Sequence, residues 1–170
     1  MRVSSLQLNS ARDLLFEELR DLYSAENQLI EALPKMAEAA GSFELKAAFA
    51  MHLNQTRQHA ARLEKVFQQL GEKAQGETSE AMKELIQEEQ DLVNAQGEKD
   101  VIDAGLLGAA QRVEHYEIAC YGTARALARQ MGKHQIAEML QQTLDEEEGA
   151  DKQLTQIAES YVNPRAASHG

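Results

Sequence analysis

From Ser10 to Tyr161 the apolar residues recur at steps of three and four. That is the pattern of helices with one buried face, and no segment alternates as a strand would. The first stripe is Leu15, Leu19, Leu22, Leu29 and Leu33, with Glu26 set in its middle. It predicts a helix over 10–39, started by a Ser10/Asp13 capping pair and ended at Gly41-Ser42. Pro34 is placed to kink the last turns. A second helix, 42–70, carries Phe49, Leu53, Thr56, Ala60, Leu63, Phe67 and Leu70 and stops at Gly71. His52, Gln55 and His59 flank its stripe. After a polar loop over 71–79, a shorter helix holds Met82, Leu85, Ile86 and Leu92-Val93. A break over 97–100 follows, with Asp100 as the expected cap of a third long helix over 101–131. Its stripe is Leu106, Ala110, Val113, Glu117, Cys120, Ala124 and Leu127. A fourth helix, 133–160, reads Ile136, Leu140, Leu144, Glu147, Asp151, Leu154 and Ala158.

The first and second helices are joined by a short turn, as are the third and fourth, so each pair is expected to be an antiparallel hairpin. The middle connection contains its own helix and is long enough to cross the bundle. The expected fold is therefore all-α, with two antiparallel pairs joined by one long crossover. A chain of 170 residues suffices for one such domain with a sizeable core. The expected limits are an N-terminal extension over 1–9, a bundle over 10–161 and a flexible tail over 162–170.

Charge narrows the partners. A formal net charge of −11 argues against a nucleic-acid backbone and favours cations. No apolar run reaches membrane length, and the first eight residues are too polar for a signal peptide. A single cysteine, Cys120, excludes an intrachain disulfide framework, so a reducing cytoplasm is the expected compartment.

The polar positions inside the stripes carry the candidate chemistry. The four long helices have their centres near Ala25, Thr56, Tyr116 and Glu147. The misplaced polar residues sit at the same depths, so antiparallel helices of similar length bring them into one layer. Lone buried carboxylates are costly and are usually paired, commonly with a metal ion. The candidate ligands are Glu26, His52, His59, Glu114, Glu117, Glu147 and Asp151. Hard carboxylate oxygens with a few imidazoles suit a di-iron or di-manganese centre. In the acidic run Asp145-Glu146-Glu147-Glu148, Glu147 fits the stripe best, Glu148 is its rival, and the rest reads as a solvated face. Glu26 has a competing reading as a buried acid held by a histidine or arginine across the bundle. His115, His134 and His169 read as surface residues. Tyr23, Tyr116 and Tyr121 read as core or rim, and Cys120 as a small buried residue.

The stretches DLYSAENQL (21–29), LPKMAEAA (33–40), HLNQTRQHAARLEKVF (52–67), VEHYEIACYGT (113–123) and TLDEEEGADKQLTQIA (143–158) occur in a telling order. Together they resemble the ferritin-like stress proteins of the YciF/YciE type, a domain-of-unknown-function group numbered 892. The resemblance runs from about Leu14 to Ala158. The Glu-x-x-Glu of the third helix also resembles rubrerythrin, a related di-iron peroxidase. The resemblance implies a ferritin-like four-helix bundle, a homodimer, a buried di-metal site and a stress-linked role. A ferroxidase or peroxidase-like reaction with peroxide or dioxygen would follow from such a site. In the family pattern HLxET the fourth residue is Glu, whereas this chain has Gln55. A non-catalytic helical dimer with a degenerate metal site is thus the alternative expectation.

Overall fold

The computed structural model describes residues 6–170. Its elements are α1 (Ala11–Ala39), α2 (Phe43–Leu70), α3 (Glu80–Val93), α4 (Lys99–Gln130) and α5 (His134–Ile157), then a π-helical turn (Ala158–Val162) and α6 (Asn163–Ala167). There is no strand among the described residues. Of the expected N-terminal extension, residues 1–5 lie outside the described part, and residues 6–9 are exposed and non-helical.

The stripes become the core. Leu15, Leu19 and Leu22 of α1 are fully buried, each such side chain contributing roughly 1.5–3 kcal/mol of apolar burial. The α1–α2 and α4–α5 hairpins pack through α1 against α4 and α2 against α5, and α3 lies on α1 and α4. The apolar core is split in two. One cluster, around Leu33, Met36, Phe49, Leu106 and Leu154, fills the end near the α1–α2 turn. The other, around Phe16, Phe67, Tyr121, Ala128 and Leu140, fills the opposite end. The polar layer lies between them.

The caps are those the composition calls for. The Ser10 hydroxyl accepts from the Asp13 amide at 3.1 Å and the Ser42 hydroxyl from the Leu45 amide at 3.2 Å, each satisfying a donor that a helix start leaves unpaired. Gly71 ends α2 at φ +75°, a left-handed conformation in which a Cβ is strained. The α1–α2 turn is held from across the bundle: buried Asp103 of α4 accepts from the amides of Gly41 and Ser42, both at 2.7 Å.

Three details differ from expectation. Helix α1 is assigned without a break across Pro34. Helix α4 starts at Lys99 behind Glu98, so Asp100 lies in its first turn rather than at its cap. The chain beyond Tyr161, expected to be a tail, continues as helix: Val162 is buried in the core and α6 packs on α4. Pro164 permits this because it stands in the first turn of α6, where a missing N–H breaks no helical bond.

Candidate metal centre

Each long helix delivers its polar residues to the layer at its own midpoint. Glu26, Glu117, Glu147 and His59 are completely buried, and Glu114 and His52 nearly so. Glu117 follows Glu114 by three residues on α4 and His59 follows His52 by seven on α2, spacings that keep each pair on one helix face. Two groups result. His52, Glu114, Glu117 and Glu147 form one, and Glu26, His59 and Glu147 the other; within each, one ligand atom per residue lies within 4.8 Å of the rest. Glu147 belongs to both.

The second group is tightly braced. Tyr121, at the bottom of the apolar cluster, donates a short hydrogen bond to Glu26 Oε1. His59 Nδ1 stands 2.8 Å from Glu147 Oε1 and 3.5 Å from Glu26 Oε1. On the outer side, His59 Nε2 is 2.7 Å from Glu146 Oε2. Arg62 clamps that same carboxylate at 3.0 and 3.2 Å and also donates to Thr143. The first group has no such brace: His52 lies 3.2 Å from Glu114 Oε1 and 3.8 Å from Glu147 Oε2, neither in hydrogen-bonding alignment.

Many of these atoms lack partners. Both ring nitrogens of His52, both oxygens of Glu117 and of Glu147, and Oε2 of Glu26 and of Glu114 are buried without a hydrogen bond, as is His59 Nδ1 despite its close carboxylates. Orphaned buried groups are rare because each costs its full desolvation. Their clustering around two shared centres fits cations. Four ionised carboxylates with two neutral imidazoles balance the charge of two divalent ions, and oxygen with imidazole suits iron or manganese chemically. The buried His/Glu cluster can hold a metal ion.

Without an ion the protons are displaced from their ordinary positions. Burial raises Glu26 to about 7 against the pull of His59 and the Tyr121 hydroxyl. Burial and the neighbouring carboxylates raise Glu114 and Glu117 well above the usual range. Burial also opposes ionisation of Glu147, but His59 and His52 outweigh it and hold Glu147 low. His59 is disfavoured as a cation by burial, yet Glu147 and Glu26 carry it up to about 10. His52, buried with weaker partners, is pushed down. Two imidazoles of one layer are thus driven in opposite directions, His59 toward its cation and His52 away from it.

Six of the seven residues expected as ligands therefore meet in the layer. Asp151 does not join them: it is partly exposed, accepts from Gln111 at 3.1 Å and lies 3.3 Å from His115. Four residues from Glu147, it is rotated toward the outer edge of α5. Glu147 is buried whereas its rival Glu148 is exposed. Tyr23 reaches Glu64 rather than Glu26. Cys120 is only partly buried.

Four neighbours of the layer lie outside the expected ligand set. Glu146 reads as part of a solvated acid run, and its roles toward His59 and Arg62 exist only because α2 and α5 pack together. Tyr121 reads as core, and its hydroxyl meets Glu26 only across the bundle. Gln55 lines a cavity beside His52, its Oε1 buried and unpartnered. Glu89 sits in the crossover helix, yet it is 1% exposed and its Oε2 has no partner. Burial raises Glu89 to about 7 against the nearby Arg112.

Comparison with known proteins places this architecture. The chain is 38% identical to Protein YciF of Escherichia coli (strain K12) over 162 residues, covering 95% of this chain and 98% of that protein. The crystal structure of the E. coli stress protein YciF superposes with a TM-score of 0.88 at 39% identity, over 92% of this chain and 99% of that one. YcfI of Rhodopseudomonas palustris matches with a TM-score of 0.86 at 39% identity, over 93% and 99% of the two chains. Residues 10–167 match the family model described as Domain of unknown function (DUF892). The chain belongs to the DUF892 family, with the helical fold of YciF.

Proposed function

We propose that this protein is a cytoplasmic, homodimeric ferritin-like stress protein whose mid-bundle layer binds a di-iron or di-manganese centre. The observation that carries the reading is the pair of overlapping His/Glu groups sharing Glu147, with their buried oxygens and imidazole nitrogens left without partners. Glu147, common to both groups, would serve both ions; His59 with Glu26 would hold one, and His52 with Glu114 and Glu117 the other. Iron or manganese there supplies one-electron steps between divalent and trivalent states, the chemistry of ferroxidase or peroxidase-like protection against peroxide or dioxygen. Anionic carboxylates favour the higher oxidation state, and the two apolar clusters keep bulk water from the layer. No helix among the described residues is long and apolar enough to cross a membrane.

Metal content tests the assignment directly. Protein expressed with added iron or manganese should carry two ions per chain by mass spectrometry. The Glu26→Ala, Glu147→Ala double variant should carry none, and unchanged stoichiometry would sink the assignment.

Gln55 supports a second reading, a helical dimer whose metal site has decayed. A neutral amide in place of a carboxylate cannot bridge two cations, and His59 with Glu147 already makes a charge-compensated pair. Under this reading excess iron or manganese leaves Tm unchanged, whereas a specific ligand must raise it. Light scattering gives the oligomeric mass under either reading.

A further inference from the structure

A cavity of ≈ 20 Å³ adjoins the His52 side of the layer. That exceeds the roughly 10–15 Å³ a single water needs and leaves room for a molecule of two heavy atoms. Its walls come from the four long helices and the crossover helix: Leu33 of α1, Phe49 of α2, Ala110 of α4 and Leu154 of α5 make it apolar, and Glu89 joins the lining from α3. Met51, 44% exposed, and Gln153 stand at its outer side. His52 and Glu114 belong both to this wall and to the unbraced ligand group.

The walls select against ions. A hydrated cation would have to shed its water against leucine, phenylalanine and alanine side chains, at a large desolvation cost. A small neutral molecule meets no such barrier. The polar atoms of the wall select further. Glu89 Oε2, Gln55 Oε1 and both nitrogens of His52 are buried without partners. Glu89 is also outside both ligand groups. With Glu114, whose Oε2 is also without a partner, four polar side chains from α2, α3 and α4 thus line one small space with unmet hydrogen-bonding capacity. Dioxygen offers them nothing. Hydrogen peroxide is neutral, about the size the space allows, and carries two O–H donors and acceptor lone pairs.

We propose that this cavity is a docking chamber for hydrogen peroxide, held by Glu89 and Gln55 beside the His52 ligand group. What happens next rests on the function proposed above. With two divalent ions bound, such a step would take one electron from each and two protons from solvent, break the O–O bond and release two waters. Glu89 is then a positioning residue for the oxidant and no part of the metal shell.

The chamber is tested first without metal. Crystals of metal-free protein soaked in hydrogen peroxide should show elongated, two-oxygen density against Glu89 Oε2. Crystals of Glu89→Leu should lack it. Round density for a single water, or density that persists in Glu89→Leu, overturns the proposal. The second arm uses protein loaded with ferrous iron and mixed with peroxide in stopped flow. Ala48→Leu, which fills the chamber from α2, and Glu89→Leu should each slow oxidation at least tenfold while ferrous stoichiometry stays that of the parent. An unchanged rate in either variant at unchanged stoichiometry overturns the proposal. Parent protein that binds no ferrous iron refutes the metal reading instead, and the metal-free crystals still decide the chamber.

Discussion

The two ligand groups share Glu147 and lie in one layer, yet they are built differently. Around His59 two atoms are fixed from behind: Tyr121 holds Glu26 Oε1, and Glu146, itself held by Arg62, holds the far side of the imidazole. Around His52 nothing comparable exists, and a cavity takes the place of the brace. A braced imidazole has its tautomer and orientation set before an ion arrives, which lowers the cost of binding. An unbraced one leaves room for ligands to shift and for a small molecule to approach. Under the proposed function, the His59 half would bind its ion tightly and the His52 half would stay open to exchange.

Removing the brace is the strongest way to break this contrast. Glu146→Ala should weaken the tighter step of a two-step metal titration by roughly 10–100-fold, the usual cost of losing an outer partner of a ligating histidine. The weaker step should stay where it was. Calorimetry that shows both steps moving together would mean that the halves are not distinct.

Tyr121→Phe probes the other side of the same half. It removes the donor to Glu26 and leaves a buried carboxyl oxygen short of a partner. Urea unfolding of the metal-free chain should report a loss of about 1–3 kcal/mol. No loss would mean that His59 alone satisfies Glu26.

Acidity offers a gentler test with a definite sign. In the folded chain Glu26 is raised to about 7, and Glu114 and Glu117 are raised as well. A raised carboxyl binds its proton more tightly when folded, so this contribution to stability falls as pH rises from the unfolded value through the folded one. His59, raised to about 10, contributes stability below its unfolded value that is lost as pH rises through the folded one. Glu147, held low, acts oppositely and only in acid, where its contribution is lost as pH falls. The metal-free protein should therefore melt highest near about pH 5–6 and lower by about pH 9. Metal affinity should run the other way, since an ion must displace these protons and gains as pH rises. Thermal melts with and without manganese across that range check both slopes.

The smallest effect belongs to Asp151. Its partners are Gln111 and His115, away from both groups. Asp151→Asn should leave two ions bound with affinities within about twofold of the parent, because Asn still accepts from Gln111. Loss of an ion would restore Asp151 to the ligand set.

The particular residues show where sequence reading succeeds. Glu26, Glu117 and Glu147 interrupt apolar stripes, and a charge at such a position is buried whatever the partner helix, so they were legible from one helix alone. Depth in the bundle was legible too, because helices of similar length joined by short turns align at their midpoints. Asp151 lies outside both groups because a step of four drifts about 40° around a helix, enough to carry a side chain from the inner face to the rim. Glu146 was passed over because its neighbours in sequence are acids on a wet face, and its partners His59 and Arg62 are on another helix. Glu89 falls on the stripe of the crossover helix, between Ile86 and Leu92, so the same periodicity marks its inner side, but only the packing of that helix on α1 and α4 brings it to the layer.

The sequence by itself determined the helices, the Ser10, Ser42 and Gly71 caps, the order of the helices, the single long crossover and the depth at which charge interrupts the core. Those follow from local periodicity and chain connectivity. Only the tertiary structure decided which polar residues share an ion site, which half of that site is braced and where a cavity opens beside it. These depend on rotations and contacts between helices, and no spacing along one chain segment encodes them.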